Sequence, residues 1–170
     1  MTAHHDPIPP RCGGGKARRS VVIGVGNTFR RDDGIGPAVV ARLRELQPGD
    51  ASLSGVSLAV SDGEPSQMID LWGDAELAVV VDAVRDSRVP SGHRYELTVD
   101  ALTGTVPGAA SSHGIGLGDT VELAQALGRM PARLAVLAVV GRDFGFGTGL
   151  SAEVADAVGP VVERVRETVR

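Results

Sequence analysis

Apolar positions fall into short continuous runs that alternate with longer periodic stretches. Val21-Val22-Ile23-Gly24-Val25 is a β-branched run that stops at glycine, the pattern of a buried strand. From Ile35 the spacing changes. Ile35, Val39, Leu43 and Leu46 share one helical face, Pro37 sits in the first turn where it is tolerated, and Pro48-Gly49 ends the segment. Residues 56–60 predict a second strand, closed by Ser61-Asp62-Gly63. Pro65 opens a short helix carrying Met68, Ile69 and Trp72 that stops near Gly73, and residues 77–81 form an apolar run expected to be a central strand. Tyr95, Leu97 and Val99 alternate with polar residues, as on a half-exposed edge strand. Asp119 and Glu122 give a capping pattern for a helix running to Leu127, with Gly128 as its stop. Residues 134–140 read as a last buried strand. Ser151 is expected to cap a terminal helix with Val154, Val158, Val161, Val162 and Val165 on its apolar face, and Gly159-Pro160 to break or kink it.

Strands alternating with helices predict an α/β fold around a mostly parallel sheet. Ligands of such sheets gather outside the carboxyl ends of the strands, where the strand order reverses. The residues that follow each strand are therefore the ones to question. With 170 residues the chain suits one domain. We place it at residues 20–170, after a flexible tail at 1–19 that holds His4, His5, prolines and Gly13-Gly14-Gly15 but little apolar surface.

Composition narrows the function classes. Aromatic residues make up 3% of the chain, so the core must be built from Val, Leu, Ile and Ala. The net charge of -4, without a basic run, excludes a nucleic-acid binder, which needs a cationic face. The single cysteine, Cys12, rules out an intramolecular disulfide and a cysteine metal cluster, and a reducing cytoplasmic setting fits. No apolar stretch approaches the roughly 20 residues of a membrane span. Arg18-Arg19 precedes a run too short for a signal segment and reads as the polar edge of the first strand.

Candidate chemistry lies at three places. Gly24-Val25-Gly26-Asn27 begins like a dinucleotide loop, but Phe29 stands where the third glycine belongs. Asp32 and Asp33 then occupy the position where a phosphate would meet the helix, and two carboxylates repel an anion. One can cap the helix while the other points into the cleft, towards a cation. Asp82 follows the central apolar run. Ser111-Ser112-His113-Gly114 lies in a long loop rich in Gly, Ser and Ala. Asp33, Asp82 and His113 make a plausible set for a borderline divalent cation with open positions for a substrate. No His-Glu-x-x-His or Gly-x-Ser-x-Gly motif is present. His93 lies at the start of the exposed strand without such a context.

Taken in order, these segments resemble the hydrogenase maturation protease family. Its opening signature is matched by Gly24-Val25-Gly26-Asn27 through Asp32-Asp33-Gly34-Ile35-Gly36, its second block by Val81-Asp82-Ala83 and its third by Ser111-Ser112-His113-Gly114. Phe144, Gly147, Gly149 and Leu150-Ser151 match its closing segment, and the likeness runs from about residue 20 to 165. The resemblance implies a three-layer α/β/α sandwich, phosphorylase/hydrolase-like, whose five-stranded, mostly parallel twisted sheet has one antiparallel strand, assigned to residues 93–99. It implies an endopeptidase that removes the C-terminal extension of the nickel–iron hydrogenase large-subunit precursor after nickel insertion. Asp33, Asp82 and His113 would be its catalytic and metal-contacting residues, supported by Gly24, Gly26, Asn27, Asp32, Gly34, Gly36 and Ser112. The metal would be nickel held by the precursor, with no permanently bound cofactor. Whether the metal polarises the carbonyl or a carboxylate activates water stays open. The sequence departs from the family at Val140, where a glutamate is usual. Two rivals stand beside this reading: a non-catalytic metal-sensing or chaperone module of the same fold, and a Rossmann-type nucleotide-binding protein.

Overall fold

The computed structural model describes residues 19–97, 99, 110–111 and 116–170. The tail, apart from Arg19, and both Ser112 and His113 lie outside these. Strands β1 (Ser20–Val25), β2 (Ser57–Ser61), β3 (Leu77–Arg85), β4 (Arg94–Leu97), β5 (Ala110–Ser111) and β6 (Arg133–Val140) share one sheet. Its main path runs β2-β1-β3-β6-β4, and the two-residue β5 pairs with the end of β3. β2, β1, β3 and β6 are parallel, whereas β4 is antiparallel to β6. The main path is the five-stranded mixed sheet expected, with β5 as a short additional antiparallel strand. The alternating segment forms the edge as far as Leu97, whereas Val99, expected in that strand, is helical. The four described α-helices are α1 (Ile35–Leu46), α2 (Pro65–Trp72), α3 (Leu117–Ala126) and α4 (Ala152–Val169).

Burial follows the chain's apolar runs. The central strands β1, β3 and β6 are apolar on both faces because each face meets a helical layer. On one side Val39 and Leu43 of α1 and Val154, Val161 and Val165 of α4 pack over Val22, Val79 and Val139. On the other, Met68, Ile69 and Trp72 of α2 and Val121 and Ala124 of α3 cover Ile23, Val80 and Val136. β4 shows solvent-facing Arg94 and Glu96. It is tied to α4 where Arg164 grips Glu96 with two hydrogen bonds of 2.7 and 3.0 Å.

Four other expectations change. β3 runs on to Arg85 rather than ending at Val81, because its register with β6 continues through Asp82↔Ala138 and Val84↔Val140. α4 continues through Pro160, which is exposed, so the carbonyl deprived of its partner there can meet water. α3 is capped at Gly116, whose N–H donates to Asp119 Oδ2, so Asp119 is the third helical residue and not the cap. Ser151 stands at the N-cap of α4 without a capping bond from its hydroxyl.

Candidate active site at the strand-order reversal

The chain leaves β1, crosses through α1 to β2 on one side, then returns through α2 to β3 on the other. The strand order therefore reverses between β1 and β3. The crevice outside their carboxyl ends is where an α/β sheet binds its ligand. Asp33 comes from the 3-10 turn Arg31–Gly34 that follows β1. Asp82 comes from β3, one residue past the point where β1 pairing stops at Gly24↔Val81. That turn packs against β3, so both residues stand at the carboxyl ends of the strands that flank the reversal.

Glycines let the backbones come this close. A β-carbon on Gly24 would lie 2.2 Å from the Gly36 carbonyl oxygen, and one on Gly36 would lie 2.4 Å from the Val25 carbonyl oxygen and 2.6 Å from that of Val81. The start of α1 thus rests directly on the ends of β1 and β3. Gly26 has a φ of +139°, and a β-carbon there would meet the Asp33 carbonyl oxygen at 1.8 Å. The Gly-x-Gly-Asn and Gly-x-Gly segments are two halves of one close contact.

Both aspartates are buried. Asp33 Oδ2 accepts the Asn27 N–H at 2.8 Å, and Asn27 Oδ1 accepts the Phe29 N–H at 2.8 Å, so the loop is closed by its own side chains. Asp82 Oδ1 accepts the N–H of Ala83 at 2.8 Å. Neither Asp32 nor Asp33 caps α1, whose N-cap is Gly34 without a side-chain bond. Asp32 instead reaches the loop between β6 and α4. Its Oδ2 accepts the N–H groups of Arg142 and Asp143, each at 3.0 Å, and its Oδ1 that of Ser151 at 2.7 Å. Burial pushes the Asp32 pKa up, but the N–H bonds from Asp143, Ser151 and Arg142 outweigh it and hold the carboxyl below its ordinary value.

The third residue of the expected set, His113, lies outside the described residues with Ser112. The described backbone ends beside the crevice: Ser111 pairs with Val84, two residues beyond Asp82. Among the described residues no group of three His, Cys, Asp or Glu side chains is arranged to hold a metal. Val140 is fully buried with Val84 and Ala138, so an apolar side chain fills the place where the resemblance implies a glutamate. His93, read as bland, stacks edge-on against Tyr95 at 4.8 Å between ring centroids. The sequence reading missed Asp86, which is buried and receives Arg88 Nε and Nη2 at 2.9 Å and the Tyr95 hydroxyl at 2.8 Å. Those bonds hold its carboxyl well below the ordinary range, and they brace the β3–β4 connection. The dinucleotide rival fails on geometry, because the Asn27 N–H that a pyrophosphate would use is already taken by the Asp33 carboxylate.

No helix among the described residues is long and apolar enough to cross a membrane. Comparison with known proteins agrees with the resemblance. The chain is 25% identical over 157 residues to the hydrogenase 2 maturation protease of Escherichia coli K12, covering 89% of this chain and 91% of that protein. A NiFe hydrogenase maturation protease, HybD, from Thermococcus kodakarensis superposes with a TM-score of 0.74 at 20% identity, covering 89% of this chain and 99% of that one. The hydrogenase maturating endopeptidase HybD from E. coli superposes with a TM-score of 0.70 at 22% identity, covering 89% and 92%. A family model described as hydrogenase maturation protease (HycI) matches residues 60–168. With β1 and its turn preceding that match in the same sheet, the chain belongs to the hydrogenase maturation protease family and is a peptide-bond hydrolase.

Proposed function

We propose that this enzyme removes the C-terminal extension of a nickel–iron hydrogenase large-subunit precursor after nickel insertion, in the cytoplasm. In this reading it carries no permanent metal. Asp33, Asp82 and His113 approach nickel held by the precursor and so admit only a loaded substrate. The observation that carries the reading is the pair of buried carboxylates, Asp33 from the turn after β1 and Asp82 from β3, the two strands that flank the order reversal. Each is oriented by a backbone N–H, of Asn27 and of Ala83. His113, outside the described residues, follows Ser111 by two positions in the sequence, and Ser111 pairs with β3. Two carboxylates and an imidazole suit a borderline divalent ion.

Hydrolysis adds water across the peptide bond: the hydroxyl goes to the carbonyl carbon and the proton to the leaving amine. A carboxylate at the crevice can relay that proton, and the substrate-held metal can polarise the carbonyl. The test is incubation with nickel-loaded and nickel-free precursor, followed by the mass of the large subunit. The loaded precursor should lose its C-terminal extension and the nickel-free one should stay intact. Equal cleavage of both would end the recognition account, and cleavage of neither would end the assignment of substrate.

A further inference from the structure

The chain has three phenylalanines, and two of them stand on the surface at one place. Phe29 is 67% exposed and Phe146 is 93% exposed. Their backbones are neighbours: the Gly147 N–H donates to the Phe29 carbonyl at 2.9 Å, and the Arg31 N–H to the Gly147 carbonyl at 3.1 Å. The third, Phe144, is buried under the Arg85 guanidinium, 4.0 Å from its ring centroid. The apolar anchoring of this loop is therefore supplied by Phe144, and the two exposed rings serve no packing need within the described fold.

The platform beneath them is fixed. Asn27 Oδ1 holds the Phe29 N–H, Asp143 Oδ1 holds the Gly145 N–H at 3.0 Å, and Asp32 joins the two loops. Arg31 keeps a left-handed φ of 47°, a conformation that costs a non-glycine residue energy and that the paired loops enforce. A surface ordered before binding loses little entropy on docking, and exposed aromatic rings with arginines are the side chains that dominate interface energies. Charge selects the partner. Among the described residues of these two loops, Arg30, Arg31 and Arg142 reach solvent against Asp143 alone, on a chain of net charge -4. An acidic segment would be drawn to this rim, and a basic one would be repelled.

We propose that Phe29 and Phe146 are the docking anchor for the precursor: they seat an acidic segment of the large subunit that carries an apolar side chain beside its carboxylates. The inference rests on the function proposed above and adds the surface that holds the substrate. Phe29 lies on the same short loop as Asp33, so docking there sets the distance between the anchored protein and the crevice.

The experiment is steady-state processing of full-length, nickel-loaded large-subunit precursor by the wild type, Phe146→Ser, Phe146→Tyr and the double variant Phe29→Ser/Phe146→Ser. Both rings are exposed, so melting temperatures should match the wild type. The double variant should raise KM at least tenfold with kcat within twofold, the mark of binding lost equally from ground and transition states. Phe146→Ser should fall between, and Phe146→Tyr should restore most of the loss. Raising salt from roughly 50 to 300 mM should raise the wild-type KM, since exposed charge pairs are screened over about 10 Å or less. An unchanged KM in the double variant overturns the proposal, and so does a KM indifferent to salt. A wild-type dimer in sedimentation velocity that the double variant abolishes would make a second copy the occupant instead. A wild type that processes no precursor sinks the functional reading and this one with it. A wild type that processes normally beside an unaffected double variant sinks this one alone.

Discussion

Asp32 Oδ1 accepts the backbone N–H of Ser151 at 2.7 Å across 119 positions of chain. With the two bonds from Arg142 and Asp143, one buried carboxylate fastens the turn after β1 to the loop before α4. Asp32→Asn keeps the shape but turns an amide N–H₂ towards backbone N–H groups. Hydrogen bonds to a charged group are each worth about 1.5–3 kcal/mol, and an unmet buried donor costs more. We expect a loss of about 2–4 kcal/mol, read as a melting temperature lower by roughly 5–15 °C for a domain of this size. A change under about 2 °C would show that the bonds contribute little beyond solvation.

The same carboxylate sets a pH window. Its folded pKa lies below the ordinary 3.8, so the unfolded chain binds the proton first as acid is added. The stability it contributes is complete above that ordinary value and is lost as pH falls through the lowered one. Asp86, held low by Arg88 and Tyr95, acts in the same direction. Urea unfolding of the wild type should therefore weaken below about pH 4, and Asp32→Asn should show a shallower decline because it lacks one of these groups. Parallel declines in both proteins would remove Asp32 from the account.

Much of this arrangement was legible in the chain. The order of elements followed from where apolar runs give way to helical spacing, and Asp33 and Asp82 stood out because each comes after an apolar strand. The role of Asp32 was not legible, since its partners lie more than 100 residues away and no local pattern encodes them. The extension of β3 was hidden for a similar reason. Asp82 reads as a strand end, yet its pairing with Ala138 of β6 carries the strand onward. Pro160 looked like a breaker because its exposure, which makes it tolerable, is a tertiary property.

Gly24→Ala tests the close approach of α1 to the sheet. The added carbon would lie 2.2 Å from the Gly36 carbonyl oxygen, a backbone atom that cannot turn aside. Overpacking of a core typically costs 1–3 kcal/mol, and a backbone clash should reach about the upper end or beyond. Gly49→Ala, where nothing lies within 4 Å, is the control. Chemical denaturation should separate the two variants clearly, and equal stabilities would refute the contact.

Restoring the family's usual acidic residue should harm this protein. Val140 is fully buried among Val84 and Ala138, with Val89 and Tyr95 packed nearby. A glutamate there would enter an apolar pocket, and burying an unpaired polar group costs roughly 2–7 kcal/mol. We expect Val140→Glu to melt well below the wild type and to process precursor no faster. A stable, faster enzyme would mean that the pocket opens to the crevice.

The crevice itself is tested by three substitutions chosen to spare the fold. Asp33→Asn keeps an oxygen that can accept the Asn27 N–H, and Asp82→Asn keeps one for the Ala83 N–H. Both remove the negative charge that a divalent ion needs from an oxygen ligand. His113→Ala removes the imidazole. If the three groups meet nickel held by the precursor, each variant should retain its circular dichroism spectrum and lose at least about 100-fold in kcat/KM, equivalent to roughly 2.7 kcal/mol of transition-state stabilisation. The effects should also be far from additive, because groups that grip one ion act as a unit. Asp82 discriminates most sharply. Were its carboxylate only a local brace for the Ala83 N–H, asparagine would serve nearly as well and Asp82→Asn would process precursor at the wild-type rate. Full activity in Asp82→Asn and His113→Ala together, on folded protein, would leave the precursor's nickel without its proposed reader.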